Sequence, residues 1–228
     1  MNCTYLPDLK DGASDLQLPS EEFKHLKVLR LENDEKVIAT NGKGLSAFGK
    51  VDINKKALAI FHTEEFLENY GENPFSLALA IGILDNKERF EITVEKAVEL
   101  GINEFFPLIT KHTQRKKVNK QRLISKSISA MKQCCRSVLP IIHSPITIEQ
   151  LLKNTNNYRR IILADFNCKK AENLKNNVST LVIIGPEGGF STDEIELMKS
   201  DDRLISINLG NRRLRAETAA IVTLGLLV

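Results

Sequence analysis

The sequence predicts an α/β protein, in which a parallel-sheet domain at residues 71–228 follows a small β-rich domain at residues 1–70. Short β-like segments separated by turns fill the first part of the chain, whereas apolar strands alternate with amphipathic helices from residue 75 onward. Such alternation is typical of a parallel sheet covered by helices. The stretch between the two parts, residues 70–74, contains glycine and proline and has the composition of a linker.

The first domain is predicted to contain short strands and one helix. The predicted strands are residues 16–18, 36–39 and 57–60. Asn41 and Gly42 mark a turn after the second of them. Ser20 is a candidate N-cap for a helix over residues 21–29, because its hydroxyl can accept a backbone N–H and acidic residues follow in the first turn.

The second domain is predicted to alternate strands with helices. The near-continuous apolar run at residues 76–84 indicates a strand that is buried on both faces. Further strands are predicted at residues 105–109, 161–164, 181–184 and 204–209. Helices are predicted at residues 87–101, 122–132, 191–199 and 215–227. Ser191 and Glu194 have the spacing of a capping box at the start of one of these helices.

The composition is typical of a globular protein without a membrane span. Hydrophobic residues make up 42% of the chain and charged residues 27%. No apolar run approaches the ~18 residues that a transmembrane helix needs, and the N-terminal residues lack the basic and apolar regions of a signal peptide. The four cysteines lack the spacing of a metal site, so we expect reduced thiols in a cytoplasmic protein that holds no metal.

The net charge of +3 conceals a concentrated basic segment at residues 111–136. That segment holds nine Lys or Arg side chains and no Asp or Glu. Attraction to a phosphate backbone is independent of sequence and gains from the release of counterions, so the segment predicts contact with a nucleic acid. The alternative is a solvated helix face, which is the usual location of a run of charges.

Two glycine-rich turns near the C-terminus are the most informative motifs. Residues 184–191 (IGPEGGFS) and 209–219 (LGNRRLRAETA) each follow a predicted strand and precede a predicted helix. Glycine allows a ligand to lie close to the backbone, and two such turns at strand ends would form a crevice for a cofactor. Neither turn is a P-loop or a G-x-G-x-x-G fingerprint. Either turn alone could be an ordinary connection between a strand and a helix.

Together the two turns resemble the C-terminal signature of the SPOUT methyltransferases. More narrowly, the chain resembles the bacterial RsmE family, which methylates N3 of a uridine in the 16S ribosomal RNA of the small subunit. Further matches are HLKVLR at residues 25–30, EKAVELG at residues 95–101 and RSVLP at residues 136–140. The resemblance implies a SPOUT-type knotted parallel sheet, with a C-terminal trefoil knot, preceded by a PUA-like RNA-binding barrel.

The resemblance also implies S-adenosylmethionine as the cofactor. The implied cofactor-binding residues are Leu163, Ile184, Gly185, Pro186, Gly188, Gly189, Leu209, Gly210 and Leu214. Glycines suit this pocket, because a side chain would fill the space that the ligand occupies. Glu187 either faces the sulfonium or caps a helix.

The implied reaction requires loss of the uridine N3 proton, so a base or a group that stabilises the uridine anion would help. Arg213 and Arg215 are candidates for stabilising the anion or holding a phosphate, and Glu217 is a candidate for orienting them. The alternative for Arg215 and Glu217 is an ion pair at a helix start. No residue identifies itself as the base.

The RNA expected from the resemblance is 16S ribosomal RNA, either free or in the assembled small subunit. Candidate RNA contacts are His25, Arg30, Arg115, Lys116, Lys117, Arg122 and Arg136. His25 could instead be a packed side chain. Two other functions stay open: a SPOUT methyltransferase for another RNA, such as a tRNA 2′-O-methyltransferase, and an RNA-binding protein without catalysis. The glycines of the two turns disfavour the last, because they leave the pocket open.

Residues 215–228 predict a homodimer. A helix that is apolar on all sides must be buried, either within its own domain or against a second copy. SPOUT relatives pack such helices across a two-fold axis beside the cofactor pocket. The resemblance therefore implies a dimer in which the small domain of one subunit presents RNA to the active site of the other.

Overall fold

The structure is a computed structural model that describes residues 1–54, 58–168, 174–175 and 177–228. The chain divides into two compact units. The first unit contains residues 1–72 and 128–139, and the second contains residues 73–127 and 140–228. Each unit is built on a sheet of its own.

The first unit is a five-stranded sheet with one helix. Its elements are β1 (Asn2–Tyr5), β2 (Asp15–Gln17), α1 (Ser20–Val28), β3 (Glu35–Thr40), β4 (Leu45–Asn54) and β5 (Leu58–Glu68). The strand order is β1-β3-β4-β5-β2, in which β1 and β3 are parallel and the other pairs are antiparallel. Phe23 and Leu26 of α1 pack with Val37, Val51 and Phe61 of the sheet in one core.

The prediction of a β-rich first part is confirmed, although the sequence pattern does not reveal β1 or β4. The predicted strands at residues 16–18 and 36–39 correspond to β2 and β3. Of the predicted run at residues 57–60, residue 57 lies outside the described residues and the rest begins β5. Gly49 interrupts the pattern of β4 because a Cβ there would lie 2.2 Å from the carbonyl oxygen of His62, where the register shifts.

Helix α1 begins at Ser20, so the prediction that Ser20 is its N-cap is wrong. Pro19 occupies the N-cap position and provides no side-chain hydrogen bond. The acidic first turn is confirmed, and its Glu22 is buried. Glu22 accepts hydrogen bonds from Thr4 Oγ1 at 2.8 Å and from Lys132 Nζ at 2.7 Å. This carboxylate therefore links α1 to β1 and to the segment at residues 128–139.

The second unit is a six-stranded sheet whose described strand pairs are all parallel. Its elements are β6 (Leu77–Gly82), α2 (Lys87–Glu99), β7 (Glu104–Leu108), α3 (Lys120–Cys134), β8 (Ile141–Ile142), α4 (Ile148–Asn154), β9 (Arg160–Ala164), β10 (Thr180–Ile184), α5 (Thr192–Lys199), β11 (Leu204–Ile207) and α6 (Ala216–Gly225). The strand order is β11-β9-β10-β6-β7-β8. Helix α3 crosses the boundary between the units, since its residues from 128 onward belong to the first unit.

The predicted α/β class is confirmed. The central strands β6 and β10 are buried along their whole length, as the apolar run at residues 76–84 predicts. The predicted capping box is also present, because Ser191 and Glu194 exchange side-chain and backbone hydrogen bonds at the start of α5. The pattern does not reveal β8 and α4, which are among the shortest elements of this unit.

The terminal helix α6 is buried on one side only. It packs against α2, β6 and β10 and buries Ala220, Thr223 and Leu224. Its other side exposes Val222, which is 37% exposed, and the residue after the helix, Leu226, which is 41% exposed. Within this single chain the expected burial on all sides is therefore not reached. Among the described residues, none of the helices has the length and apolar content that a membrane crossing requires.

Candidate functional site

The carboxyl ends of β9, β10 and β11 surround a cavity of about 950 Å³. Its walls come from the loop after β9 (163–167), the first turn (184–187, 189 and 190) and the second turn (207–209, 212–217 and 219), together with Arg89 of α2 and Ile195 of α5. Neighbouring parallel strands bring their carboxyl ends to one edge of the sheet, which is where open α/β sheets bind ligands. Both glycine turns reach this cavity.

The first turn, after β10, is fixed by its own backbone and by β6. The Gly189 N–H donates to the Pro186 carbonyl oxygen at 2.9 Å, and Gly189 has a φ of +69°, which favours glycine. Pro186 packs against the end of β6, where a Cβ on Gly82 would lie 2.4 Å from the proline ring. A Cβ on Gly185 would lie 3.2 Å from the ring of Phe190. These contacts hold the backbone of the turn against the cavity.

The second turn, after β11, is fixed by Asn208. Asn208 Oδ1 accepts the Gly210 N–H at 2.7 Å, and Asn208 Nδ2 donates to the Phe166 carbonyl oxygen at 2.7 Å. Gly210 has a φ of +129°, but a Cβ there would meet no atom within 4 Å. Glycine is therefore required at this position by the backbone conformation rather than by lack of space. Through Asn208, the turn is joined to the loop that follows β9.

Charged side chains surround the cavity beside the second turn. Arg213 and Arg215 line it and are exposed. Glu217 lies in the first turn of α6, and its Oε1 is 3.7 Å from Nε of Arg89. Arg215 is the N-cap residue of α6 and makes no capping hydrogen bond. The ion pair at this helix start thus joins Glu217 to Arg89 of α2, and not to Arg215 as the alternative interpretation of the sequence holds.

Comparison with known families matches the chain over both units. A model described as an RNA methyltransferase domain matches residues 71–228, and a model described as an RNA methyltransferase PUA domain matches residues 18–61. The chain belongs to the RNA methyltransferase family.

Relatives within the RNA methyltransferase family match nearly the whole chain. The ribosomal RNA small subunit methyltransferase E of Rickettsia conorii is 34% identical over 220 residues, which cover 92% of this chain and 88% of the relative. The protein of the same name from Mesomycoplasma hyopneumoniae is 32% identical, with 89% and 88% covered. The crystal structure of a ribosomal RNA small subunit methyltransferase E from Neisseria gonorrhoeae bound to S-adenosyl methionine has a TM-score of 0.87 and 25% identity, covering 99% of this chain and 95% of that one.

Most residues predicted to bind the cofactor of this RNA methyltransferase lie at the cavity. The lining residues among them are Leu163, Ile184, Gly185, Pro186, Gly189, Leu209 and Leu214. Gly188 is turned away, since a Cβ there would lie 2.8 Å from Cβ of His112. Gly210 is absent from the lining as well. The predicted explanation for these two glycines, space for a ligand, therefore does not apply to the described arrangement.

Glu187 lies at the mouth of the cavity and is exposed. Helix α5 is capped by Ser191 and Glu194, so Glu187 is not its capping residue. Glu187 also lines a second cavity of about 490 Å³, whose walls include Gly188 of the same turn and His112.

Several residues at the cavity are not among the sequence-predicted ones, and two groups of them are charged or polar. The loop after β9 contributes Asp165, Phe166 and Asn167, and α2 contributes Arg89. Polar residues that directly follow a buried strand are a usable signal, because parallel strands end at the same edge of the sheet. No sequence signal indicates Arg89. It is far from Glu217 along the chain, and only the packing of α2 on α6 brings the two residues together.

The basic segment of this RNA methyltransferase is partly neutralised by α2. Arg122 Nε lies 2.5 Å from Glu91 Oε1, and Lys126 Nζ lies 2.8 Å from Glu95 Oε1. Arg122, a predicted RNA contact, is therefore paired. Tertiary packing supplies the acidic side chains that residues 111–136 lack. Fewer basic side chains of this segment are therefore unpaired than the sequence suggests.

The three adjacent basic residues 115–117 differ in accessibility. Arg115 is half-buried, its Nη2 donates to the Leu84 carbonyl oxygen at 3.0 Å, and its Nε is buried without a partner in the described part of the chain. Lys116 and Lys117 are exposed. The two lysines can reach a phosphate, whereas the guanidinium of Arg115 is bound to the carbonyl of Leu84, two residues beyond the end of β6.

The first unit contains the remaining candidate RNA contacts, and one of them is not accessible. Arg136 is only 2% exposed and its guanidinium pairs with Glu72, whose Oε1 also accepts the Val138 N–H at 2.9 Å. The prediction that Arg136 contacts RNA is therefore unsupported, because a buried, paired guanidinium cannot reach a phosphate. Arg30 is exposed. Burial and the nearby Lys132 lower the pKa of His25, so this half-buried side chain is neutral at pH 7.

Proposed function

We propose that the protein is an S-adenosylmethionine-dependent RNA methyltransferase that modifies N3 of a uridine in the 16S ribosomal RNA of the small subunit. The observation that carries the proposal is the cavity built by the two glycine turns at the carboxyl edge of the sheet. Support comes from a relative of the same fold, at 25% identity, which is bound to S-adenosyl methionine. The curated relatives named ribosomal RNA small subunit methyltransferase E support the choice of RNA.

The cavity suits this cofactor in size and chemistry. Its volume of about 950 Å³ is within the range of small-molecule sites, which is roughly 300–1,000 Å³. Leu163, Ile184, Leu209 and Leu214 offer apolar surface for an adenine ring, and the backbone of the first turn offers amides and carbonyls. When bound, S-adenosylmethionine supplies an electrophilic methyl group on a sulfonium.

The charged residues at the mouth suit the acceptor. A uridine that has lost its N3 proton is an anion, and pre-positioned guanidinium groups lower the energy of such a charge. Arg213 and Arg215 are exposed at the cavity and serve this purpose or hold the phosphate beside the target. Glu217 pairs with Arg89 rather than with these two arginines.

The proposal includes an organisation that follows the SPOUT pattern. Residues 1–70 form the PUA-like RNA-binding domain and residues 71–228 the methyltransferase domain, with a C-terminal trefoil knot. The protein acts as a cytoplasmic homodimer, since the exposed apolar side chains Val222 and Leu226 give α6 a surface for a second copy. Arg30 of the first domain and the exposed Lys116 and Lys117 of the second contact RNA backbone.

A methylation assay with defined RNA tests the function. Small ribosomal subunits, free 16S RNA and total tRNA, each from cells without this protein, are incubated with the protein and methyl-labelled cofactor. We expect label in 16S RNA at one uridine. Because N3 lies on the Watson–Crick edge, the methyl group should stop reverse transcriptase at that nucleotide, whereas a ribose 2′-O-methyl group leaves the edge free.

The outcomes separate the three candidate functions. A stop at one uridine in 16S RNA supports the proposal. Label in tRNA at a ribose oxygen would replace it with the tRNA 2′-O-methyltransferase, and tight RNA binding without cofactor binding in calorimetry would indicate a non-catalytic protein.

A further inference from the structure

The loop that follows β7 is attached to the first glycine turn through His112. His112 Nδ1 lies 3.0 Å from the Gly188 carbonyl oxygen and 3.3 Å from that of Gly189. The preceding Lys111 N–H donates to Glu194 Oε1 at 2.9 Å, which is the carboxylate of the α5 capping box. Gly188 permits this approach, because a Cβ there would lie 2.8 Å from Cβ of His112. The position of the imidazole is therefore set by the cofactor turn itself.

These contacts also determine which ring nitrogen carries a hydrogen. A carbonyl oxygen only accepts hydrogen bonds, so Nδ1 of His112 must be the donor. In the neutral ring, Nε2 then holds a lone pair. Among the described residues no side chain or backbone group forms a hydrogen bond with Nε2. When the ring is neutral, the turn thus presents an imidazole whose Nε2 is a hydrogen-bond and proton acceptor.

His112 also borders the cavity of about 490 Å³. The other lining residues are Asp85, Lys111, Thr113, Gln114, Glu187 and Gly188. These walls offer both donors and acceptors, which suits the two carbonyls and the N–H of a uracil ring. Glu187 belongs to the lining of this cavity and of the cofactor cavity, so the two spaces meet at one residue of the turn.

We propose that the acceptor uracil binds where the cavity beside His112 meets the cofactor cavity at Glu187, and that His112 Nε2 accepts its N3 proton. The inference rests on the proposed function and names the base that the reaction requires. The N3–H bond breaks and the proton moves to Nε2. The electron pair left on N3 forms the bond to the methyl group as the C–S bond of the sulfonium donor breaks. The imidazolium then releases its proton to solvent.

Charged groups surround the imidazole with both signs. Asp85 and Glu187 favour the imidazolium that forms, and the ammonium of Lys111 disfavours it. Glu194 is the nearby acid on α5, and it is occupied by backbone N–H groups of Lys111 and Ser191. The walls of the cavity beside His112 thus contain two residues with carboxylates and one with an ammonium, in addition to the ring that gains a positive charge during the reaction.

Two variants separate the tether from the base. In His112→Asn the amide nitrogen can replace Nδ1 as donor to the turn, but no acceptor stands where Nε2 was. In His112→Gln the amide reaches the position of Nε2 and the tether is lost. His62→Asn is the control, because His62 is an exposed histidine of the first unit that pairs with Asp15.

We expect His112→Asn to bind the cofactor within about twofold of the unsubstituted protein, while kcat falls by roughly 10²–10⁴. The decrease of kcat at low pH, which reports protonation of an imidazole base, should disappear. His62→Asn should match the unsubstituted protein in all three measurements. Added imidazole should partly restore kcat of His112→Ala.

Three results would overturn the inference. A His112→Asn enzyme with kcat within threefold and the same pH profile would show that the imidazole only packs. Loss of cofactor affinity in His112→Asn with unchanged kcat at saturation would assign it to the cofactor site. A His112→Gln enzyme that is fully active would show that no basic nitrogen is needed at this position, because an amide does not take up the N3 proton. Failure of the proposed function looks different, because then the unsubstituted protein would itself methylate no uridine.

Discussion

The two edges of the six-stranded sheet differ in whether their charged side chains have hydrogen-bond partners. At the edge where the strands begin, here called the amino edge, Glu104 accepts a hydrogen bond from Tyr158 Oη at 2.6 Å and pairs with His143 Nε2 at 2.7 Å. Arg203 donates to the carbonyl oxygens of Thr155 and Tyr158 at 2.7 Å and 3.0 Å. Each charged group in this network has a partner at hydrogen-bond distance.

At the edge where β9, β10 and β11 end, here called the carboxyl edge, the charged groups are largely left open. Arg213 and Arg215 are exposed, and neither has a side-chain hydrogen bond or ion pair among the described residues. The one ion pair at the cavity, Arg89 with Glu217, is long at 3.7 Å. Glycines in the left-handed region, Gly189 and Gly210, shape both turns.

The difference indicates a division of labour within one sheet. The network at the amino edge satisfies the partly buried side chains of Glu104, His143 and Arg203 and the buried Tyr158, and so stabilises the fold. Open guanidinium groups at the carboxyl edge contribute little to stability but remain available to a ligand. Substitutions at the two edges should therefore change different quantities, activity at one and the free energy of unfolding at the other.

The largest effect is expected at the carboxyl edge, on catalysis. Arg215→Ala and Arg213→Ala should each lower kcat by roughly 10²–10³, as loss of one stabiliser of a developing anion does. The free energy of unfolding should change by less than about 0.5 kcal/mol, because the side chains are exposed. Steady-state methylation and urea denaturation measure the two effects.

Arg159→Ala is the matched control at the amino edge. Arg159 is exposed, and only its backbone N–H is hydrogen-bonded among the described residues. Both kcat and stability should be unchanged in this variant. An equal loss of kcat in Arg159→Ala and Arg215→Ala would remove the distinction between the edges.

A smaller effect, on cofactor affinity, is expected at the second turn. Gly210→Ala forces a side chain into a φ of +129°, which costs about 1–3 kcal/mol, and the turn must shift to relieve it. Cofactor affinity measured by calorimetry should fall by roughly 5- to 150-fold. Gly12→Ala is the control, since Gly12 has a φ of +79° with open space around it but lies in the first unit. Gly12→Ala should lower stability without changing cofactor affinity.

The amino edge should show the reverse pattern, with a pH dependence. The hydrogen bond from His143 lowers the pKa of Glu104, and burial raises the pKa of Tyr158. Glu104→Gln removes the charge and should lower the free energy of unfolding by about 1–2 kcal/mol near neutral pH. Because the pKa of Glu104 is lower in the folded state, its contribution is present above the unfolded pKa, about 4.3, and is lost as pH falls further.

Urea denaturation between pH 3 and pH 7 checks this expectation. The difference between Glu104→Gln and the unsubstituted protein should be largest near pH 7 and should shrink below about pH 4. The kcat of the folded variant should stay within twofold. A stability difference independent of pH would show that shape, and not charge, is what Glu104 contributes.

The carboxyl edge is predictable from the sequence, and the amino edge is not. Gly185 and Gly189 follow an apolar run that can only be a buried strand, so their place at a strand end follows from local pattern. The network of Glu104, His143 and Tyr158 joins residues that are 39 and 54 positions apart. No local period indicates such contacts, because they arise only when β7, β8 and β9 take their places in the sheet.

The same reason explains why the sequence does not reveal which basic side chains are paired. The sequence suggests that Arg136 is an exposed basic residue. In the structure, Glu72 lies beside it because residues 128–139 belong to the first unit. Arg122 and Lys126 follow a stretch without acids, but α2 brings Glu91 and Glu95 against them. The sequence therefore shows where basic residues are concentrated along the chain. Which of them stay unpaired is determined only by tertiary packing.

The smallest expected effect is on RNA binding by unpaired lysines. These lysines lie on the carboxyl side of the sheet, outside the cavity. Lys116 and Lys117 lie in the loop that follows the carboxyl end of β7 and are exposed, and among the described residues neither forms an ion pair with an acidic side chain. If they contact RNA phosphates, Lys116→Gln with Lys117→Gln should lower the slope of log affinity against log salt by up to about 2, one per lost contact. Lys153→Gln with Lys199→Gln, on α4 and α5, removes the same charge and should leave the slope unchanged. Filter binding of 16S RNA at several salt concentrations measures both pairs, and cofactor affinity should be the same in all proteins. Equal slopes for the two double variants would mean that Lys116 and Lys117 act only through net charge. The RNA-binding surface at the carboxyl edge would then not include them.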